Sequence, residues 1–356
     1  MRTSENHGST DVLEVGSSWG WQPPTDPWYQ RLGRLVLAWS PDPGLGLDVP
    51  HIKDLLLDAV AMRAEWLLHP SLSAVMRQRQ GFRCDLQLAV WSAQNLQADL
   101  GNVELPESAW AWAPGGGIRL APGTHDLSDI TGRIQGSSYE SPIAIDPWAH
   151  SMWAPFHQLW RETPDLDPDE LDEFVGDTRR LLLALEYARE RLPQLFQWVG
   201  SRTRVVILLR KLRAEHASSS SAVDIPGAIF VTVHDEIQAI EAMVHESAHQ
   251  HLFMSEVAAP LVDPRDTELY GSPLRDDPRP LRGLLLAYHA LAYISAYYAD
   301  ALATSIAESS HLEKRLDRTR SMMQSSQRVV HDNRGKLTEI GIDFVERTAA
   351  IGRYSA

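Results

Sequence analysis

One stretch limits the possible folds of this chain more than any other: Glu241-Ala-Met-Val-His245-Glu246-Ser247-Ala248-His249-Gln-His251-Leu-Phe253. His245 and His249 are four residues apart. On an α-helix that spacing sets both imidazoles on one face, a turn apart, where one metal ion can be held between them. Glu246 follows the first histidine and can face the open side of such a metal. The flanks suit a helix delivered by a strand. Gly227-Ala-Ile-Phe-Val-Thr-Val233 is short and β-branched, and Asp235 to Val244 reads as the first turns of a helix. Ile240, Met243, Val244, Leu252 and Phe253 supply apolar packing around the motif. The competing reading is a pair of surface histidines.

Two histidines are an incomplete ligand set. Zinc proteases with this spacing use the glutamate as general base for the attacking water and add a third ligand. One protease pattern continues His-x-x-Gly-x-x-His. Leu252 and Ser255 stand at its last two positions, so that pattern is absent. Glu256, Glu268, Asp300 and Glu308 are formally available carboxylates. His289 is the better third ligand. It lies in a predicted apolar helix, Leu284–Ser305, aligned with Leu285, Ala292 and Ala296. An imidazole on a buried face needs a partner, either a hydrogen-bonding group in the core or a metal. A position one helix after the His pair favours the metal.

Arg275, Arg279 and Arg282 fall within eight residues, beside three prolines. They either pair with Asp276 and Asp277 on a solvated loop, or clamp an acidic co-substrate near the metal, since arginine offers a fixed fork for a carboxylate. A protease needs no such clamp.

The net charge of −14 argues against a nucleic-acid partner. Cys84, the single cysteine, excludes an internal disulfide framework and reads as a small buried residue. No apolar run is long enough to span a bilayer, and the first ten residues hold no apolar signal-like core, so no membrane association and a cytoplasmic location are expected.

The expected class is α+β, mainly α-helical, with a short strand before the metal-binding helix and a second ligand-bearing helix downstream. Residues 1–27 are polar and read as a flexible arm. Residues 28–150 form an N-terminal helical and loop region. Its tryptophans pack a core or line a groove for a peptide. Residues 151–356 form the metal-binding region, with its centre at 200–305 and helices at the C-terminus. Residues 211–227 read as a loop. If the strand Ala228–Val233 lies at a sheet edge, Phe230 and Thr232 are positioned to meet a peptide added to it.

With these residues assembled, the C-terminal half resembles the HExxH-motif peptide-modifying proteins of ribosomal peptide natural-product clusters. The likeness rests on His245-Glu-Ser-Ala-His-Gln-His-Leu252, Ser272-Pro-Leu-Arg-Asp-Asp-Pro-Arg-Pro-Leu-Arg-Gly283 and Leu284-Leu-Leu-Ala-Tyr-His-Ala290, and more weakly on Leu337-Thr338 and Gly341. Residues 1–150 carry little of it. The resemblance implies a non-haem Fe(II) enzyme that uses 2-oxoglutarate and O2 to hydroxylate a β-carbon in a ribosomal precursor peptide, often alongside a radical-SAM enzyme. It implies that His245, His249 and His289 hold the iron, with zinc a possible occupant of purified protein. Arg275 or Arg279 would anchor 2-oxoglutarate, and Glu246 would act as an orienting catalytic group. Two other readings stand beside it: a zinc metallopeptidase acting on a peptide, and a non-catalytic peptide-binding scaffold.

Overall fold

The structure is a computed structural model, described over residues 26–39, 46–64, 86, 89–90, 92–93, 100–106, 109–113, 116–134, 144–146, 168–209, 219–223, 225–304 and 309–354. The described residues are mainly helical, with small sheets. Among them no helix is long and apolar enough to cross a membrane.

The polar arm expected over residues 1–27 lies outside the described residues except for Asp26 and Pro27, which open helix α1 (Asp26–Ala38). Helix α2 (Val49–Ala61) follows, capped by the Asp48 carboxylate on the His51 amide, with Pro50 in its first turn. Trp28, Tyr29, Leu32 and Val36 of α1 meet Ile52, Leu56 and Ala59 of α2 in one buried cluster. Trp28 and Trp39 are therefore core packing; Trp19, Trp21, Trp66, Trp91, Trp148, Trp153 and Trp160 lie outside the described residues.

The rest of the N-terminal region comes next. It holds β1 (Asn102–Leu105), β2 (Ala109–Ala113), β3 (Gly116–Leu120) and β4 (Gly123–Asp126), then a helix the periodicity did not announce, α3 (Leu127–Ile134). β1 pairs with β4 and β2 with β3, both antiparallel.

The strand β5 (Ala144–Asp146) opens the main sheet. Helices α4 (Pro168–Arg191) and α5 (Pro193–Arg202) lead to β6 (Val205–Leu208), then β7 (Ser219–Ser221) and β8 (Ala228–Val231). The sheet order is β5-β6-β8-β7. β5, β6 and β8 run parallel, and β7 runs antiparallel at the edge. β6 and β8 are buried at every position, as apolar parallel strands covered on both faces are.

Two expectations are corrected here. The segment 211–227 is not wholly loop, because Ser219–Ser221 pairs with β8. β8 is not an edge strand, because β6 and β7 flank it. Phe230 and Thr232, at 0% and 2% exposure, cannot meet a docked peptide.

Helix α6 (Glu236–Ala258) carries the His pair. The connection after it contains a hairpin of β9 (Leu269–Ser272) and β10 (Arg275–Pro280). Helices α7 (Leu281–Ala303), α8 (Ser309–Asp332) and α9 (Glu339–Tyr354) complete the chain. α7 is buried on nearly every side and packs against α6, α8 and α9. Near the start of α9, a Cβ on Gly341 would stand 1.9 Å from the Leu261 carbonyl oxygen, so only glycine permits this approach. The Thr338 amide donates to that same oxygen at 3.0 Å. The contact fixes where α9 meets the helices before it.

Candidate metal centre

Helix α6 begins with a reciprocal cap. Asp235 accepts from the Gln238 amide at 2.7 Å, and the Gln238 side chain accepts from the His234 amide at 3.1 Å. Polar residues inside the motif then fix the rotation of the helix on the sheet. Gln250 Oε1 accepts from the Gly227 amide at 2.8 Å, and its Nε2 donates to the Ala228 carbonyl at 3.0 Å. The hydroxyls of Ser247 and Thr203 are 2.7 Å apart. With Ser247 and Gln250 committed to the sheet, His245 and His249 share another face and keep partial exposure. The nearby His251 is wholly buried and stacks on Trp198, ring centroids 4.5 Å apart, so it belongs to the core.

His245, Glu246 and His249 each offer a ligand atom within 4.8 Å of the others. The two imidazoles meet edge to face, centroids 4.5 Å apart. Glu246 is 1% exposed. Its Oε1 accepts from Ser219 Oγ and its Oε2 from Ser221 Oγ, both at 2.7 Å. His249 Nδ1 stands 3.3 Å from Oε2. Burial raises the carboxyl pKa, but the hydrogen bond and charge of His249, the charge of His245 and the Ser221 hydroxyl outweigh it and bring it down to about 2. Burial first, and the charge of His249 second, lower His245 to about 4 against the pull of Glu246.

Two imidazoles and a carboxylate converging at this separation fit a divalent ion such as Fe(II) or Zn(II). Ser219 and Ser221 are the residues sequence reasoning missed. Their one signal is the i, i+2 spacing that puts both on one side of a strand, and a run of four serines does not read as a strand.

His289 sits on α7 at 1% exposure, outside the three-residue group. Thr348 Oγ1 donates its single hydrogen to the Phe344 carbonyl at 2.9 Å. Its 2.8 Å contact with His289 Nδ1 therefore has the ring N–H as donor, which leaves the lone pair on Nε2. Burial first, then the charge of His249, lower His289 to about 3 and hold the ring neutral. A neutral imidazole with a fixed tautomer suits a ligand, and it equally suits a core residue between Tyr293 and Phe344.

Arg275 and Arg279 lie on β10, exposed and half-buried respectively, and neither side chain makes an ion pair or hydrogen bond among the described residues. Of the two readings of the cluster, pairing of these two with Asp276 and Asp277 is not formed among the described residues. The stem of Arg279 lies over Gly283. Arg282 is the member of the trio that reaches α6. Its Nε and Nη2 grip Glu256 at 2.6 to 2.9 Å, and its guanidinium sits 5.6 Å over the Phe253 ring.

No protein-family model matches the chain, and no curated protein matches it.

Proposed function

We propose that this protein is a non-haem Fe(II), 2-oxoglutarate-dependent oxygenase that hydroxylates the β-carbon of a residue in a ribosomally made peptide. His245 and His249 would hold the metal, with His289 as the candidate third ligand. Iron and 2-oxoglutarate would supply the oxidation: one oxygen atom of O2 enters the C–H bond, and the other leaves in succinate as CO2 is released.

The observation that carries this reading over hydrolysis is the state of Glu246. Both of its oxygens are engaged by serine hydroxyls, and it is almost wholly buried. A carboxylate whose two oxygens are both already taken by hydrogen bonds is poorly placed to accept the proton of an attacking water. It is well suited to fix His249 and to present a constant negative charge beside the metal.

The serines also bear on the substrate. They belong to β7, the sheet edge next to α6, so a peptide extended along β7 would run beside the His pair. Arg275 and Arg279 have no ion pair to give up and remain available to a carboxylate, with Arg279 directed back over the first turn of α7.

A zinc peptidase is the second reading. One observation favours it: Glu246 converges with His245 and His249, where the general base of a zinc peptidase would stand. The deciding experiment supplies Fe(II), 2-oxoglutarate and O2 to the full chain without peptide and measures succinate by mass spectrometry. Uncoupled succinate formation, abolished in His249→Ala, supports the oxygenase. No succinate, together with zinc-dependent cleavage of a generic peptide, supports the peptidase.

A further inference from the structure

A second feature lies toward the C-terminal end of α6. A pocket of about 410 Å³ opens between α1 and α6, lined by Arg31, Arg34, Leu35, Glu256 and Val257. The charges around it do not balance. Glu256 is gripped by Arg282 through two nitrogens. The side chains of Arg31 and Arg34 make no ion pair or hydrogen bond among the described residues. Arg31 lies 5.5 Å over the Trp28 ring, and that contact leaves its positive charge uncancelled. The two cations are three residues apart on one helix, a spacing at which like charges repel. Burial, and secondarily the charge of Arg34, lower the Arg31 pKa. In a chain of net charge −14, a partly buried and an exposed cation whose side chains pair with no described acid, beside a glutamate already held by Arg282, have the character of a binding site rather than of a surface ion pair.

We propose that this pocket binds a carboxylate, delivered by an acidic side chain of an extended peptide. Two guanidinium forks provide directional donors for carboxylate oxygens. Leu35 and Val257 provide an apolar wall for the methylene stem of the side chain. Arg34 is exposed, so the mouth stays open and a peptide chain can continue past the pocket. Glu256 faces the same space, and its pairing with Arg282 limits its repulsion of the ligand. Seven residues of helix separate Glu256 from His249, so the subsite is about 10 Å along α6 from the His pair. The pocket does not depend on the metal-centre reading.

The test uses the full-length, metal-free protein and fluorescence anisotropy with a fluorescein-labelled hexaglutamate peptide at low ionic strength. Hexaglutamine is the neutral control. The account expects hexaglutamate to bind and hexaglutamine not to. Arg31→Gln/Arg34→Gln should weaken binding about tenfold or more, and Arg34→Glu alone should weaken it as well. Arg328→Gln, a remote cation lost from α8, should leave it unchanged. Circular dichroism melts confirm that the variants fold. Succinate distinguishes the source of the carboxylate: displacement at concentrations matching the peptide would reassign the pocket to a free small acid and overturn the peptide assignment. Equal affinity in the double variant, or no hexaglutamate binding by the wild-type protein, would overturn the site.

Discussion

Ser221 Oγ donates a 2.7 Å hydrogen bond to Oε2 of Glu246, a carboxylate 1% exposed to solvent. With the matching bond from Ser219, an edge strand and a helix are joined at the motif's central charge. Hydrogen bonds to charged groups contribute about 1.5–3 kcal/mol each, and losing them leaves the buried charge undersatisfied. Ser219→Ala/Ser221→Ala should lose about 2–5 kcal/mol in urea denaturation of the metal-free protein. Its Zn(II) affinity should drop by roughly 10- to 100-fold, the range seen when outer partners of metal ligands are removed. Stability and affinity both at wild-type levels would remove Glu246 from the centre of this account.

His289 predicts a pH dependence. Its ordinary pKa is 6.5, and burial holds it to about 3 in the fold. Between those values the unfolded ring binds a proton and the folded ring does not. Stability is therefore intact above about 6.5 and falls as pH is lowered toward 3, by at most about 1.4 kcal/mol per pH unit from this residue. His245 and His251 are shifted in the same direction and add to the slope. Urea midpoints of metal-free protein at pH 7.5 and 5.0 measure it. His289→Phe should show a shallower slope than wild type; an identical slope would mean that His289 titrates normally.

Gly341→Ala should destabilise the fold clearly. The new Cβ would stand 1.9 Å from a backbone oxygen that has no side-chain freedom to move aside. Overpacking of this kind costs about 1–3 kcal/mol or more. A calorimetric melt should show a clear fall in Tm, and His289 should lose part of its support, because Thr348 is carried by the same helix. An unchanged Tm would mean that the Leu261 segment relaxes freely.

Arg282→Ala breaks the bidentate grip on Glu256 between the start of α7 and α6. The pair is partly exposed, so the expected loss is modest, about 1 kcal/mol. Freed Glu256 should then turn toward Arg31 and Arg34, and hexaglutamate binding should weaken. Tighter binding in this variant would contradict the placement of Glu256 at the pocket.

Much of this is legible in the residues alone. The apolar runs of α6 and α7 are long and periodic, and Asp235 marks the start of α6 in the sequence. The strands β6 and β8 follow from β-branched residues between breaks. The His245–His249 pairing follows from helical geometry alone. What escaped depends on contacts between distant segments. Ser219–Ser221 is a strand because β8 offers it an edge, and serine has little strand preference of its own. The burial of Phe230 follows from that same pairing. The choice of Arg282 over Arg275 and Arg279 as the arginine reaching α6 depends on where the β9–β10 hairpin turns into α7, which residue spacing does not encode. The Arg31–Arg34 pocket exists only because α1 packs on α6.

The central claim is that the His pair holds iron for an oxygenase rather than zinc for a hydrolase. Its most direct test is the visible absorption spectrum of the metal-free protein reconstituted with Fe(II) under nitrogen, before and after addition of 2-oxoglutarate. The account predicts a new charge-transfer band on addition, absent in His249→Ala, with His289→Ala deciding whether α7 supplies the third ligand. No band in the wild-type protein, with tight Zn(II) binding in its place, would contradict it.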